Sequence, residues 1–160
     1  RPDAVDALNA LGIAEARLGR VNDAMATFQK VLTLDPADDM AMENIGSVYL
    51  AGNDLVHAEE AFKNALQANP KSSTAHSGLG VVQLKNGDTA EAVANWRQAI
   101  ALNPTNYDAL YNLAAELVRE GNVAAARPVV EQFVRTAPPS LYADDIRAFS
   151  AWLARTQGQP

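Results

Sequence analysis

Pro2, Pro36, Pro70, Pro104 and Pro138 recur every 34 residues along a chain of 160. A fixed period of this length is the spacing of small helical modules. Each is too small to bury its apolar face alone, so it must stack on its neighbours. The columns beneath that beat carry the packing. Leu8, Met42, His76 and Leu110 share one column and Leu11, Ile45, Leu79 and Leu113 another, followed at once by Gly12, Gly46, Gly80 and Ala114. Further along come Ala24, Ala58, Ala92 and Ala126, then Phe28, Phe62, Trp96 and Val130, then Leu32, Leu66, Ile100 and Val134. Small residues let two helix backbones approach, and bulky ones fill the space between neighbouring pairs. Each unit therefore reads as a helical hairpin.

The punctuation marks the helix ends. Asp38, Ser72, Asn106 and Ser140 follow their prolines by two residues, where an N-cap acceptor would serve the first helix of each unit. Asp54, Asp88 and Asn122 stand in the same role for the second helix, and Asp88 with Glu91 has the spacing of a capping box. Gly19, Gly87 and Gly121 supply the left-handed residue that ends a first helix. In the second unit Gly52 comes one residue early and Asn53 takes the usual place, while in the first unit Arg20 leaves the second helix without a cap. Pro128, inside a second helix, removes an amide that would pair with the carbonyl of Ala124 and predicts a bend there.

These columns resemble the tetratricopeptide repeat, with its apolar-Gly pair in the first helix, Ala and aromatic in the second, and Pro in the connection. The resemblance runs through Val5–Pro36, Asp39–Pro70, Ser73–Pro104 and Tyr107–Pro138. It departs at Glu15, Gln83 and Leu117, where the family favours the Tyr kept as Tyr49, and at Ala114 and Val130 in the fourth unit. It implies an all-α solenoid in a single domain, with repeats over 5–38, 39–72, 73–106 and 107–139 and a C-terminal capping helix over 140–155. Pro2 already sits in the proline column, so the chain is expected to be a fragment of a longer protein.

Composition excludes several functions. The chain lacks cysteine, which removes disulfides, thiol catalysis and thiolate metal sites. A net charge of −6 argues against a nucleic-acid partner, which demands a basic stripe. Residues 1–80 carry 6 basic and 11 acidic side chains and residues 81–160 carry 7 and 8, so the negative charge is concentrated in the first half. No apolar run approaches the roughly 18 residues of a membrane span, so no membrane insertion is expected. His76 occupies a packing column and reads as a satisfied, partly buried residue, and His57 as an exposed one without a second histidine at ligand spacing. No phosphate loop, nucleophile elbow or metal-ligand pair is present. An enzyme, a cofactor and a metal are not expected in this segment.

The surface made by stacked hairpins remains. In the tetratricopeptide family the first helices line a concave groove, which here implies a peptide-binding lining that includes Asn9, Ile13, Arg17, Asn44, Ser47, Gly78, Val81, Lys85, Tyr111, Asn112, Ala115 and Arg119. Such a mixed lining suits an extended peptide or another protein's helix. Asn44 and Asn112 share a column, resembling the asparagine ladder by which the superhelix of O-linked N-acetylglucosamine transferase holds peptide backbone. Arg17, Lys85 and Arg119 share another, and cations there also offset the negative ends of their helices. The clamp by which co-chaperones of this family hold acidic chaperone tails would fall on Asn9, Ile13, Asn44, Thr74 and Gly78, or on Glu43, Ser47, Gly78, Asp108 and Asn112. Neither set contains a cation, so that ligand is not expected.

After Pro138 the columns stop, with Asp144 and Arg147 at packing positions. Tyr142, Ile146, Phe149 and Leu153, with Trp152 alongside, form an apolar stripe at helical spacing. A solenoid needs such a helix to close its last hairpin. The same stripe is a candidate docking face for groove filling or self-association. The expected function is a protein-interaction scaffold binding a peptide or helix. The alternative is a non-catalytic appendage that positions or oligomerises a larger enzyme, because the tail from Ala137 to Arg155 resembles the ends of repeat arrays that follow bacterial sulfatase-like hydrolases.

Overall fold

The computed structural model of the protein describes residues 2–158, with side chains described over 4–158. Among the described residues the chain is all helix and turn: α1 (Pro2–Arg17), α2 (Val21–Leu34), α3 (Asp39–Ala51), α4 (Leu55–Ala68), α5 (Ser73–Asn86), α6 (Thr89–Leu102), α7 (Tyr107–Arg119), α8 (Val123–Thr136) and α9 (Pro139–Arg155). Consecutive helices pair as hairpins, each second helix packs on the next first helix, and α9 packs on α8. The first helices also touch one another, α1 on α3, α3 on α5 and α5 on α7. Among the described residues no second helix meets another. The first helices thus form one layer and the second helices splay behind it, which is how a stack of hairpins acquires a curved inner wall.

The hairpins close by seating a ring on a glycine. Phe28, Phe62 and Trp96 are buried to within 1% of their surface. A Cβ on Gly12 would lie 2.5 Å from the Phe28 ring, one on Gly46 would lie 2.9 Å from Phe62, and one on Gly80 would lie 2.6 Å from the Trp96 indole. The indole N–H of Trp96 donates to the carbonyl of Ser77 at 3.2 Å, so the buried donor is satisfied. Phe62 reaches further, because its ring also occupies the space a side chain on Gly78 would need. One phenylalanine therefore keys α4 to its own first helix and to that of the next hairpin. In the fourth hairpin the two columns hold Ala114 and Val130, both fully buried. The extra methyl on one helix accompanies the ring lost from the other.

The connections explain the proline beat. Asp35, Asn69 and Asn103 each precede a proline and accept from the amide two residues on, at 3.0, 3.1 and 3.0 Å. Each carbonyl also closes a four-residue turn on the next N-cap. Asp38, Ser72, Asn106, Asp54 and Asn122 cap their helices through side-chain acceptors. Asp88 stands at the N-cap of α6 but makes no cap bond, so the capping box expected with Glu91 does not form. Arg20 leaves α2 uncapped and pairs with Asp23 at 2.8 Å. Gly19, Gly87 and Gly121 take φ of +74°, +93° and +71°, and Asn53 takes +58° where Gly52 comes early.

One expectation near the C-terminus is corrected. Ser140 does not cap the last helix: α9 begins at Pro139, with Pro138 at its N-cap position. Ala137 replaces the Asp or Asn that would have built the turn. Pro128, where a bend was expected, does not break its helix. α8 continues through this proline, with Pro128 and Ala124 both exposed, so water can serve the orphaned carbonyl. A departure from helical dihedrals falls within α9, at Tyr142, with φ −125° and ψ 28°.

The apolar stripe of α9 is spent on the last hairpin. Phe149 is buried and meets Phe133 edge-on, with ring centroids 5.5 Å apart. Ile146, Trp152 and Leu153 pack against the same core, and the Tyr142 ring lies 5.4 Å from Phe133. Most of the stripe is therefore engaged by the last hairpin, with Phe149 buried and Tyr142, Ile146, Trp152 and Leu153 left partly exposed. Asp144 and Arg147 pair with each other on the outer side. At the other end, Leu11 is 48% exposed, while Leu79 and Leu113 in its column are 6% and 2% exposed beneath the preceding hairpin.

Gly46→Ala is expected to lower unfolding stability by about 1–3 kcal/mol, because Phe62 is held from both sides and cannot retreat. Combining it with Phe62→Val, which copies the fourth hairpin's Ala–Val pairing, should cost less than the two single changes added. Urea unfolding of the four proteins measures this coupling, and strictly additive losses would show that the two positions do not share a seat.

Candidate functional site

The inner wall carries two hollows that share Ser47 in their linings. The N-terminal one, about 450 Å³, is formed mainly by α1 and α3, with Ile13, Ala16, Phe28 and Val48 on its walls and Asn44, Ser47 and Arg17 as its polar groups. The C-terminal one, about 530 Å³, lies across α3, α5 and α7, with Thr74, Gly78 and Val81 on one side and Tyr107, Asp108, Tyr111 and Asn112 on the other. The connection at Asn103, Thr105 and Asn106 and the start of α9 at Tyr142 rim it.

Of the residues expected in the groove, Ile13, Arg17, Asn44 and Ser47 line the first hollow, and Ser47, Gly78, Val81, Tyr111 and Asn112 line the second. Asn9 does not belong to it. Its side chain is 2% exposed and its amide donates to Asp38 at 3.1 Å, tying α1 to the next hairpin. Ala115 is half-buried against the fourth hairpin's core. The basic column is divided. Arg17 faces a hollow, Lys85 reaches Asn53 at 3.4 Å, and Arg119 donates to Glu116 through Nε at 2.9 Å. Bonding to that guanidinium holds the buried Glu116 carboxyl below its ordinary pKa.

The asparagine column is divided as well. Asn44 and Asn112 lie in different hollows, and between them the column holds Gly78, where the Phe62 ring leaves no room for a side chain. Sequence columns could not show this, because the obstruction comes from the preceding second helix. They also missed Tyr107 and the 103–106 connection, which helical phase alone does not place on the inner face.

The hollow ends in an aromatic wall. Tyr142 donates from its hydroxyl to Asp108 Oδ1 at 3.0 Å, and its ring lies 6.0 Å from that of Tyr107. Burial, reinforced by the Asp108 carboxylate, pushes the Tyr142 phenol up to about 12, so it stays a donor. Tyr111 packs at 6.0 Å from Phe133 and 5.9 Å from Phe149. His76 is satisfied by Asn95 at 2.7 Å, and the exposed His57 sits 2.7 Å from Asp54 and stacks on Tyr49 at 5.1 Å. Among the described residues no group of three His, Cys, Asp or Glu side chains is arranged to hold a metal, and no helix is long and apolar enough to cross a membrane.

Stacked helical hairpins with a hollowed inner wall define a repeat solenoid of the superhelical class. The tetratricopeptide repeat model matches residues 1–39, 43–94 and 77–140. The chain belongs to the tetratricopeptide repeat family. Among solved structures it is similar to a thermophilic tetratricopeptide protein of Thermus thermophilus, at 23% identity and TM-score 0.78, covering 96% of this chain and 84% of that one. It is also similar to a mutant O-GlcNAc transferase of Thermobaculum terrenum, at 19% identity and TM-score 0.75, covering 84% of this chain but only 26% of the transferase. A third similar structure is the first such domain of Spaghetti (RPAP3) bound to an HSP90 peptide, at 21% identity and TM-score 0.64, covering 71% of this chain and 90% of that one. Comparison with curated proteins found no match.

Glu43, expected among the groove residues, turns instead to the stacking side and accepts from Ser72. Burial, with Asp39 and Asp38 nearby, raises its pKa above the ordinary value. A carboxyl whose folded pKa is raised weakens the fold as pH climbs from the unfolded to the folded pKa. Glu43→Gln should therefore raise the melting temperature at pH 7 and lose that advantage by about pH 4, near the unfolded carboxyl range. Melting curves at the two values check this, and an advantage that persists unchanged at pH 4 would contradict it.

Proposed function

We propose that the chain is a non-catalytic recognition array that holds an extended peptide along the two hollows of its inner wall. The observation that carries this reading is that Ser47, an exposed residue, lines both. The lining fits the ligand class. Asn44 and Asn112 each offer a donor and an acceptor, and neither makes a side-chain hydrogen bond among the described residues, so both suit a peptide main chain. Apolar walls at Ile13 and Val81 suit alternate side chains. The Spaghetti domain is a member of the fold that binds a peptide. An acidic tail of that kind does not suit this groove: the clamp positions lack cations and the C-terminal hollow presents Asp108.

A second reading, in which the array is one section of a larger protein, draws support from the uncovered Leu11 of α1, whose column is roofed by a hairpin in later units. The two readings are compatible, since the inner wall and this end face are separate surfaces.

Panning a random dodecapeptide library against the immobilised chain tests the groove. Ser47→Arg places a long charged side chain where the hollows join. It should reduce binding of the enriched peptides by tenfold or more with an unchanged melting temperature. Enriched peptides that bind Ser47→Arg as tightly as the parent chain would place the site elsewhere.

A further inference from the structure

We propose that the C-terminal hollow is a seat for a cationic side chain, lysine or arginine, carried by the bound peptide. This rests on the groove reading above and assigns the chemistry of one position within it. Tyr107, Tyr111 and Tyr142 share the hollow with Asp108, and among the described residues no lysine, arginine or histidine lines it. Tyr107 and Tyr142 are tilted at 57° to each other, so their faces are not consumed by mutual stacking. Aromatic faces are negative and attract a cation placed within about 6 Å.

The carboxylate is arranged to act with them. Asp108 is exposed. The Tyr142 hydroxyl holds its Oδ1 at 3.0 Å, while among the described residues no hydrogen bond engages Oδ2. A neutral phenol orients the carboxylate without cancelling its charge. Asp145 adds a second negative charge close to Tyr142. The N-terminal hollow has the opposite character, with Arg17 as its charged group amid apolar walls. The groove is therefore electrically polar end to end. A peptide would lie with its basic residue against Tyr142 and an apolar residue over Phe28, which sets its direction as well as its composition.

Asp108→Asn removes the charge and keeps an oxygen for Tyr142, so the hollow retains its shape. Peptides enriched by the parent chain in a Ser47-dependent manner should contain lysine or arginine. Their affinity should fall about fivefold with Asp108→Asn, and replacing the basic residue by norleucine should cost at least as much. Peptides that need Ser47 but lack a basic residue, or that bind Asp108→Asn within twofold of the parent, would overturn the cationic seat and leave the groove reading standing. Failure of every peptide to depend on Ser47 would overturn both. A measurement needing no variant is an amide-resolved NMR titration with N-acetyl-arginine methylamide. Shifts should concentrate at Tyr107, Asp108 and Tyr142 and be absent with N-acetyl-norleucine methylamide. Equal responses to the two probes, or none to either, would contradict the assignment.

Discussion

An aromatic ring seated on a glycine is the contact on which this architecture depends. Phe28, Phe62 and Trp96 each lie where a side chain on the facing glycine would have to be. The helices of each hairpin can approach only because one contributes no Cβ and the other a flat, deep group. The fourth hairpin solves the same volume problem differently, with Ala114 and Val130, and a ring reappears nearby at Phe133. That ring then becomes the anchor for Tyr142 and Phe149 of α9. The change of packing in the fourth hairpin and the closing of the solenoid are thus linked at Phe133.

The same contact shapes the recognition surface. Phe62 extends past its own hairpin to Gly78, so the floor of the C-terminal hollow is a ring from the outer layer showing through the inner one. The glycine that interrupts the asparagine column is a consequence of that reach. Specificity along the wall therefore cannot repeat from unit to unit as the packing does. Each hollow takes its character from local residues, Arg17 and apolar walls at one end, tyrosines and a carboxylate at the other.

Much of the fold was legible because packing and capping repeat. The glycine and aromatic columns, the proline turns and the caps at Asp38, Ser72, Asn106, Asp54 and Asn122 all act through neighbours in sequence or through a partner at a fixed offset. The readings that needed correction involve partners that helical phase alone does not identify. Asn9 left the groove because Asp38, the N-cap of α3, claims it, at an offset that recurs between Glu43 and Ser72. Arg119 is engaged by a buried Glu116 that stands in a column holding Ala14, Val48 and Val82 elsewhere. The α9 stripe was readable as apolar, but its commitment to Phe133 required knowing that a ring occupies a position held by Val31, Ala65 and Ala99 in earlier units. The replacement of Asp35, Asn69 and Asn103 by Ala137 was a visible signal that the turn, and with it the Ser140 cap, would fail.

The central claim is that the inner wall runs on from α3 to α5 because Phe62 locks the second hairpin to the third. Native-state amide hydrogen exchange tests it most directly, since it resolves which helices open as one unit. A common opening free energy for α3 through α6, with α1 opening more readily at its uncovered end, is the predicted result. Exchange in which the α3–α4 hairpin opens at its own lower energy, independently of α5 and α6, would contradict the lock and the recognition surface built on it.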